Sequence, residues 1–102
     1  MGALDFYTTA AGPDLQTAFN TAHEHAEWEY GTSGFTGTIA EKDEVVLLDE
    51  PKRSEQDAEA RAKELLDGDD PRISRKYGPA GALKVTTNDG EDGWLLFGVA
   101  AH

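Results

Sequence analysis

The strongest constraint on the fold sits near the end of the chain, in the run WLLFGVA at residues 94–100. Apolar residues fill successive rather than alternate positions there, so a strand over this stretch buries both of its faces. Such a strand suits the middle of a sheet, or an edge covered from both sides. Asn88-Asp89-Gly90, shortly before it, is a strong turn signal. Ala82–Thr87, ahead of that turn, reads as a second strand, joined to the first through NDGEDG.

Two helices are marked by their ends as much as by their faces. Asp14, after Pro13, is the expected N-cap of a helix reaching Tyr30. Leu15, Ala18, Phe19, Ala22 and Ala26 recur at three and four residues and make one apolar face, and Gly31 and Gly34 end the pattern. Ser54 opens the second helix, which runs to about Leu66. Asp57 stands three residues on, giving a capping box with the shorter acid. Asp57 with Arg61 and Glu59 with Lys63 are acid-first pairs four apart. Ala58, Ala62, Leu65 and Leu66 form a narrow face that lets the helix lie close to a sheet, and Gly68 stands where a C-cap glycine belongs.

Between the helices, Phe35–Ala40 and Val45–Leu48 read as two strands around a polar turn at Glu41–Glu44. An optional short strand at Leu4–Thr8 precedes everything. The order α-β-β-α-β-β suggests a loose pseudo-repeat. It predicts an α+β fold: a two-layer sandwich with two helices packed on one face of a four- to five-stranded, mainly antiparallel sheet. The expectation is a single domain over residues 1–102, the natural count at this length.

Composition narrows the function classes. Twenty Asp and Glu face nine Lys and Arg, for a formal net charge of -11. That balance argues against direct capture of nucleic acid by a basic face. It fits a solvated acidic surface or adaptation to concentrated salt, where high net charge keeps chains apart. Mimicry of nucleic acid would put acids in a row on one surface, whereas here they are spread along the chain. There is no cysteine, so neither disulfides nor thiolate metal sites arise. The first residues lack a basic segment and a long apolar run, and are read as no signal peptide. No apolar run approaches the roughly 18 residues of a membrane span. The expected location is cytoplasmic, in the host cell if the protein is viral.

Candidate chemistry is sparse. With Ala22 at the centre of the first helix's apolar face, Glu29 falls about 20° away. A carboxylate there is paired, protonated or at an open helix end. Trp28 falls about 120° off that face, where it either covers the helix end or belongs to a binding surface. His23 and His25 lie on different sides of the helix, and His23 with Glu27 supplies only two ligands at metal-compatible spacing. No metal site and no catalytic residue are assigned. There is no G-x-S-x-G elbow, and acids are so abundant that any chosen carboxylate pair is uninformative. TSGFTGT does not match the P-loop pattern and follows a helix C-terminus, whose dipole repels anions.

Three segments together resemble one another's counterparts in a known group: GFTGTIAEK at 34–42, KYGPAGAL at 76–83 and GWLLFG at 93–98. They resemble small uncharacterised proteins of tailed viruses and prophages, in which a GYTGTIAEK-like segment follows an Ala-rich helix. This chain has Phe35 where that aromatic is expected to be Tyr. The resemblance implies an accessory viral gene product and brings no activity or catalytic residue with it.

The leading expectation is therefore a non-enzymatic accessory protein that binds another protein, with a homodimer as one form. The alternative is a small-molecule or nucleotide-binding module, its cofactor unspecified. Its pocket would lie between the end of the first helix and GTIAEK and would draw on Glu29, Tyr30, Thr36, Thr38, Glu41 and Lys42. The only local basic cluster, Arg72, Arg75 and Lys76, would hold an anionic group.

Overall fold

The computed structural model describes residues 2–31 and 36–102. In chain order these form β1 (Ala3–Ala11), α1 (Leu15–Tyr30), a 3-10 turn (Ile39–Glu41), β2 (Val45–Leu47), β3 (Arg53–Ser54), α2 (Glu55–Asp67), β4 (Ala80–Thr86) and β5 (Asp92–Ala101). The five strands make one mixed sheet in the order β1-β5-β4-β2, with β3 also on β4. The doubly apolar run takes the central position that it demands, as β5, antiparallel to β1 on one side and to β4 on the other. The expected α+β fold, two helices on a five-stranded sheet, is what forms.

The two helices do not share a face. Leu96 and Ala100 of β5 pack with Phe19 and Ala26 of α1 and with Phe6, while Leu95 and Phe97 pack with Ala58, Ala62, Leu65 and Leu66 of α2. Successive residues of a strand point to opposite sides, so one helix covers each face. A layer of helix on both sides replaces the expected two-layer sandwich. The same apolar run that calls for a central strand supplies the reason, because each of its faces needs a cover.

The segment between the helices also departs from expectation. Thr36–Glu41 is not a strand. Thr38 caps the 3-10 turn, its Oγ1 accepting from the Ala40 N–H at 3.2 Å. Thr36 donates to the Glu41 carboxylate from both its N–H, at 3.1 Å, and its hydroxyl, at 2.8 Å. Such side-chain bonds offer the backbone an alternative to a ladder. No hairpin forms with Val45–Leu48. β2 instead runs parallel to β4, and so does β3. The parallel pairing of β3 with β4 is made through α2, since parallel neighbours need a crossover. The α-β-β pseudo-repeat is therefore not built. Gly34 and Phe35, expected at a helix end and a strand start, lie outside the described residues.

The helix ends are as the sequence expects. Asp14 accepts from the Thr17 N–H at 2.8 Å, and Ser54 Oγ from the Asp57 N–H at 3.2 Å. Gly31, at φ 83°, and Gly68 are the C-caps. Glu59 and Lys63 pair at 3.3 Å. Arg61 turns away from Asp57 and forms a fork with Glu50, at 2.9 and 3.0 Å.

Candidate functional site

β1 is an edge strand over its whole length. Among the described residues it pairs with β5 alone, from Ala3 opposite Ala101 to Ala11 opposite Gly93. The His102 N–H donates to the Gly2 carbonyl at 3.1 Å. That bond fixes the phase of the antiparallel ladder, in which bonded and non-bonded pairs alternate. Even-numbered residues of β1 thus turn their N–H and C=O toward β5. The N–H and C=O of Ala3, Asp5, Tyr7, Thr9 and Ala11 point out of the sheet.

Proteins commonly blunt such an edge with Pro, Lys, bulges or very short strands. The opposite edge is blunted in this way: β2 and β3 have three and two residues and are separated by a segment containing Pro51 and Lys52. β1 has nine residues, continuous register, no Pro and no Lys.

A groove of about 600 Å³ runs beside this edge. Its floor is every residue from Asp5 to Ala11, and its wall is the side of α1 carrying Ala18, Thr21, Ala22, His25, Ala26 and Glu29. The alanines on that wall are small and leave the space beside the strand unfilled. Tyr30, Gly37, Thr38 and Ile39 close one end. Gly37 is required there: its φ is 70°, and a Cβ would lie 2.7 Å from Leu4 Cδ1. Seven strand residues give the groove a length of roughly 23 Å.

The charge around the edge is acidic on both sides of the sheet. Glu29, on the α1 side, is half exposed at 48% and lies 3.6 Å from His25. On the α2 side, burial raises the pKa of the Tyr7 hydroxyl, and the charges of Asp5, Asp67 and Glu59 raise it further. Lys63 lies over the Tyr7 ring at 5.7 Å and also pairs with Glu59. Among the described residues, neither Lys nor Arg lines the groove itself.

The residues expected to form a ligand site are divided between the groove end, where the Thr36 and Thr38 hydroxyls lie 2.8 Å apart, and a buried position. Glu29, Tyr30 and Thr38 share the groove. Thr36 and Glu41 are held to each other beside its end. Lys42 is turned away and fully buried, its Nζ donating to the carbonyls of Arg75, Lys76 and Gly78 at 3.0, 3.2 and 2.9 Å. All three ammonium donors are thus satisfied, and burial pushes the pKa of Lys42 below the ordinary lysine value.

The basic cluster is not a set of three converging cations. Arg72 is forked onto Asp70 at 3.0 and 2.6 Å. Lys76 lies over the Tyr77 ring at 5.4 Å, and Arg75 is exposed. The carbonyl bonds to Lys42 tie this loop to the 3-10 turn.

Glu29 takes the open-end arrangement at the last turn of α1. Trp28 is 88% exposed and covers little of the helix end. His23 pairs with Glu27 at 2.9 Å. Among the described residues no group of three or more His, Asp and Glu is placed to hold a metal ion, and no helix is long and apolar enough to cross a membrane. The floor of the groove is not among the expected site residues, since the expected strand is short and ends at Thr8, whereas β1 continues to Ala11. The signal available for extending that strand is the absence of any turn residue between Thr8 and Gly12-Pro13. No protein-family profile, curated protein or solved structure matches the chain.

Proposed function

We propose that this chain is a non-enzymatic interaction domain that takes up an extended segment of another protein as an added strand along β1. The observation that carries the reading is the nine-residue edge strand with outward N–H and C=O groups at alternate residues, bordered along seven of them by a groove. Strand addition draws affinity from main-chain hydrogen bonds and selectivity from pockets that receive alternate side chains. The groove along α1 supplies one such row. The three segments that resemble proteins of tailed viruses and prophages support an accessory role of that origin.

A small-molecule pocket is the second reading, favoured by the convergence of Glu29, Tyr30 and Thr38 at one end of the groove. Two features weigh for a polypeptide instead. The groove runs along seven consecutive strand residues, and its lining has carboxylates but no Lys or Arg for a nucleotide's phosphates.

The test is selection from an unbiased library of nine-residue peptides, followed by amide chemical-shift mapping. Selected peptides should shift the amides of Asp5, Tyr7 and Thr9. Thr9→Pro should abolish binding, because it removes an outward N–H while leaving the β5 ladder in place. Selected peptides that leave β1 unshifted would defeat the reading.

A further inference from the structure

Resting on that strand-addition reading, we infer that the segment received by β1 is basic, with Lys or Arg side chains on both faces of the added strand. Alternate residues of such a strand project to opposite sides of the sheet. On the α1 side they meet Glu29, with His25 beside it at 3.6 Å. On the α2 side they meet Asp5 of β1 itself, together with Glu59 and Asp67 of α2.

Lys63 over the Tyr7 ring, paired with Glu59, places that carboxylate beside the strand, and after burial the charges of Asp5, Asp67 and Glu59 raise the pKa of the Tyr7 hydroxyl. Asp5, Glu29, Glu59 and Asp67 are all exposed. Lys63 is the cation among them, and it is shared between Glu59 and the Tyr7 ring. The edge therefore carries an acid excess on each face, where a neutral or acidic strand would find no complement.

The net charge of -11 adds a long-range component that steers cationic partners and repels a second copy. A second copy would also bring its own Asp5 and Glu29 to the same seam. Charge complementarity thus selects a basic partner segment over self-pairing.

The test uses three end-blocked, nine-residue peptides that alternate Thr and Val. They carry Lys, Gln or Glu at the same four positions, two on each face. Each is titrated into the protein and followed through the amides of Asp5, Tyr7 and Thr9. The Lys peptide is expected to bind about tenfold more tightly than the Gln peptide, the scale of several partly exposed ion pairs acting together. The Glu peptide should bind more weakly still.

A variant combining Asp5→Asn, Glu29→Gln, Glu59→Gln and Asp67→Asn should lose the Lys preference and keep its affinity for the Gln peptide. Equal affinity for all three peptides would overturn the basic assignment and leave strand addition standing. No shift of β1 amides with any of them would overturn both. Lys-peptide binding that survives Thr9→Pro would show charge attraction without strand addition, and would also overturn the assignment. Sedimentation of the free protein supplies the last outcome. A dimer that Thr9→Pro dissociates would place a second copy on the edge instead.

Discussion

The ammonium of Lys42 and the carbonyl of Gly78 lie 2.9 Å apart in a site closed to solvent. Among the described residues, no carboxylate is hydrogen-bonded to that ammonium. Backbone dipoles of three residues do the work that a counter-ion usually does, so the charge and the loop conformation depend on each other. Lys42→Met fills a similar volume but leaves three carbonyls without their donor. A loss of about 1–3 kcal/mol is expected, read as a shift in urea midpoint without a change in slope. The pH dependence has a definite sign. The folded-state pKa of Lys42 lies below its ordinary 10.5, so the unfolded chain binds more protons between those two values. The stability difference between the native protein and Lys42→Met should therefore change in favour of the native protein as pH rises through that window.

Asp70 contributes to the acid sensitivity of the fold. Hydrogen bonds from the Arg72 side chain and backbone lower its pKa from 3.8 to about 2. Its contribution is fully present above 3.8 and is lost as pH falls through the folded-state value. Asp70→Asn should flatten the decline in stability between 3.8 and about 2. Thermal unfolding at a series of acidic pH values measures the slope, and an unchanged slope would show that other carboxylates control it.

Gly81 is the second residue of β4, where a Cβ would come within 2.8 Å of Ile73 Cγ2 and 2.9 Å of two Phe97 ring atoms. Both neighbours are fully buried, so neither has open space to move into. Gly81→Ala should cost about 1–3 kcal/mol as overpacking. Denaturant unfolding would report it, and a neutral result would mean that the Phe97 ring can rotate aside.

Raising KCl from the low millimolar to the molar range should raise the melting temperature. A chain of net charge -11 repels itself when compact, and salt screens that repulsion. Scanning calorimetry with light scattering alongside separates this gain from association. A flat response would mean that the acids are already accommodated by pairs such as Glu50 with Arg61.

Much of this fold is legible in the sequence where local chemistry and tertiary packing agree. Asp14 and Ser54 cap the helices that they mark, and WLLFGVA takes the central strand. The misreadings fall where they disagree. Thr36–Glu41 has strand-like composition, but Thr38-Ile39-Ala40-Glu41 also carries the S/T-x-x-E pattern of a helix start, and the local bonds of Thr36 and Thr38 prevail. The pairing of β2 with β4 is non-local and has no signature in three residues. Lys42 reads as a cation available to a ligand pocket because long charged side chains are almost never fully buried without a partner. Its partners are carbonyls 33 to 36 residues away, which residue type does not reveal. Of the candidate site, Glu29, Tyr30 and Thr38 were legible from the end of α1 and the GTIAEK segment. The outward backbone groups of β1 depend on a ladder phase that only the β5 pairing defines.

That pairing also orders events during synthesis. β1 is complete at Ala11, and its partner does not begin until Asp92. At roughly 5–20 residues per second, the first strand waits several seconds with both edges open. β3, α2 and β4 can assemble in the interval, since their contacts are close in sequence. β1 then joins last, closing the longest loop in the molecule. A nascent chain that stalls before Asp92 would hold a nine-residue strand with no partner on either side, and such a chain is the form most exposed to aggregation.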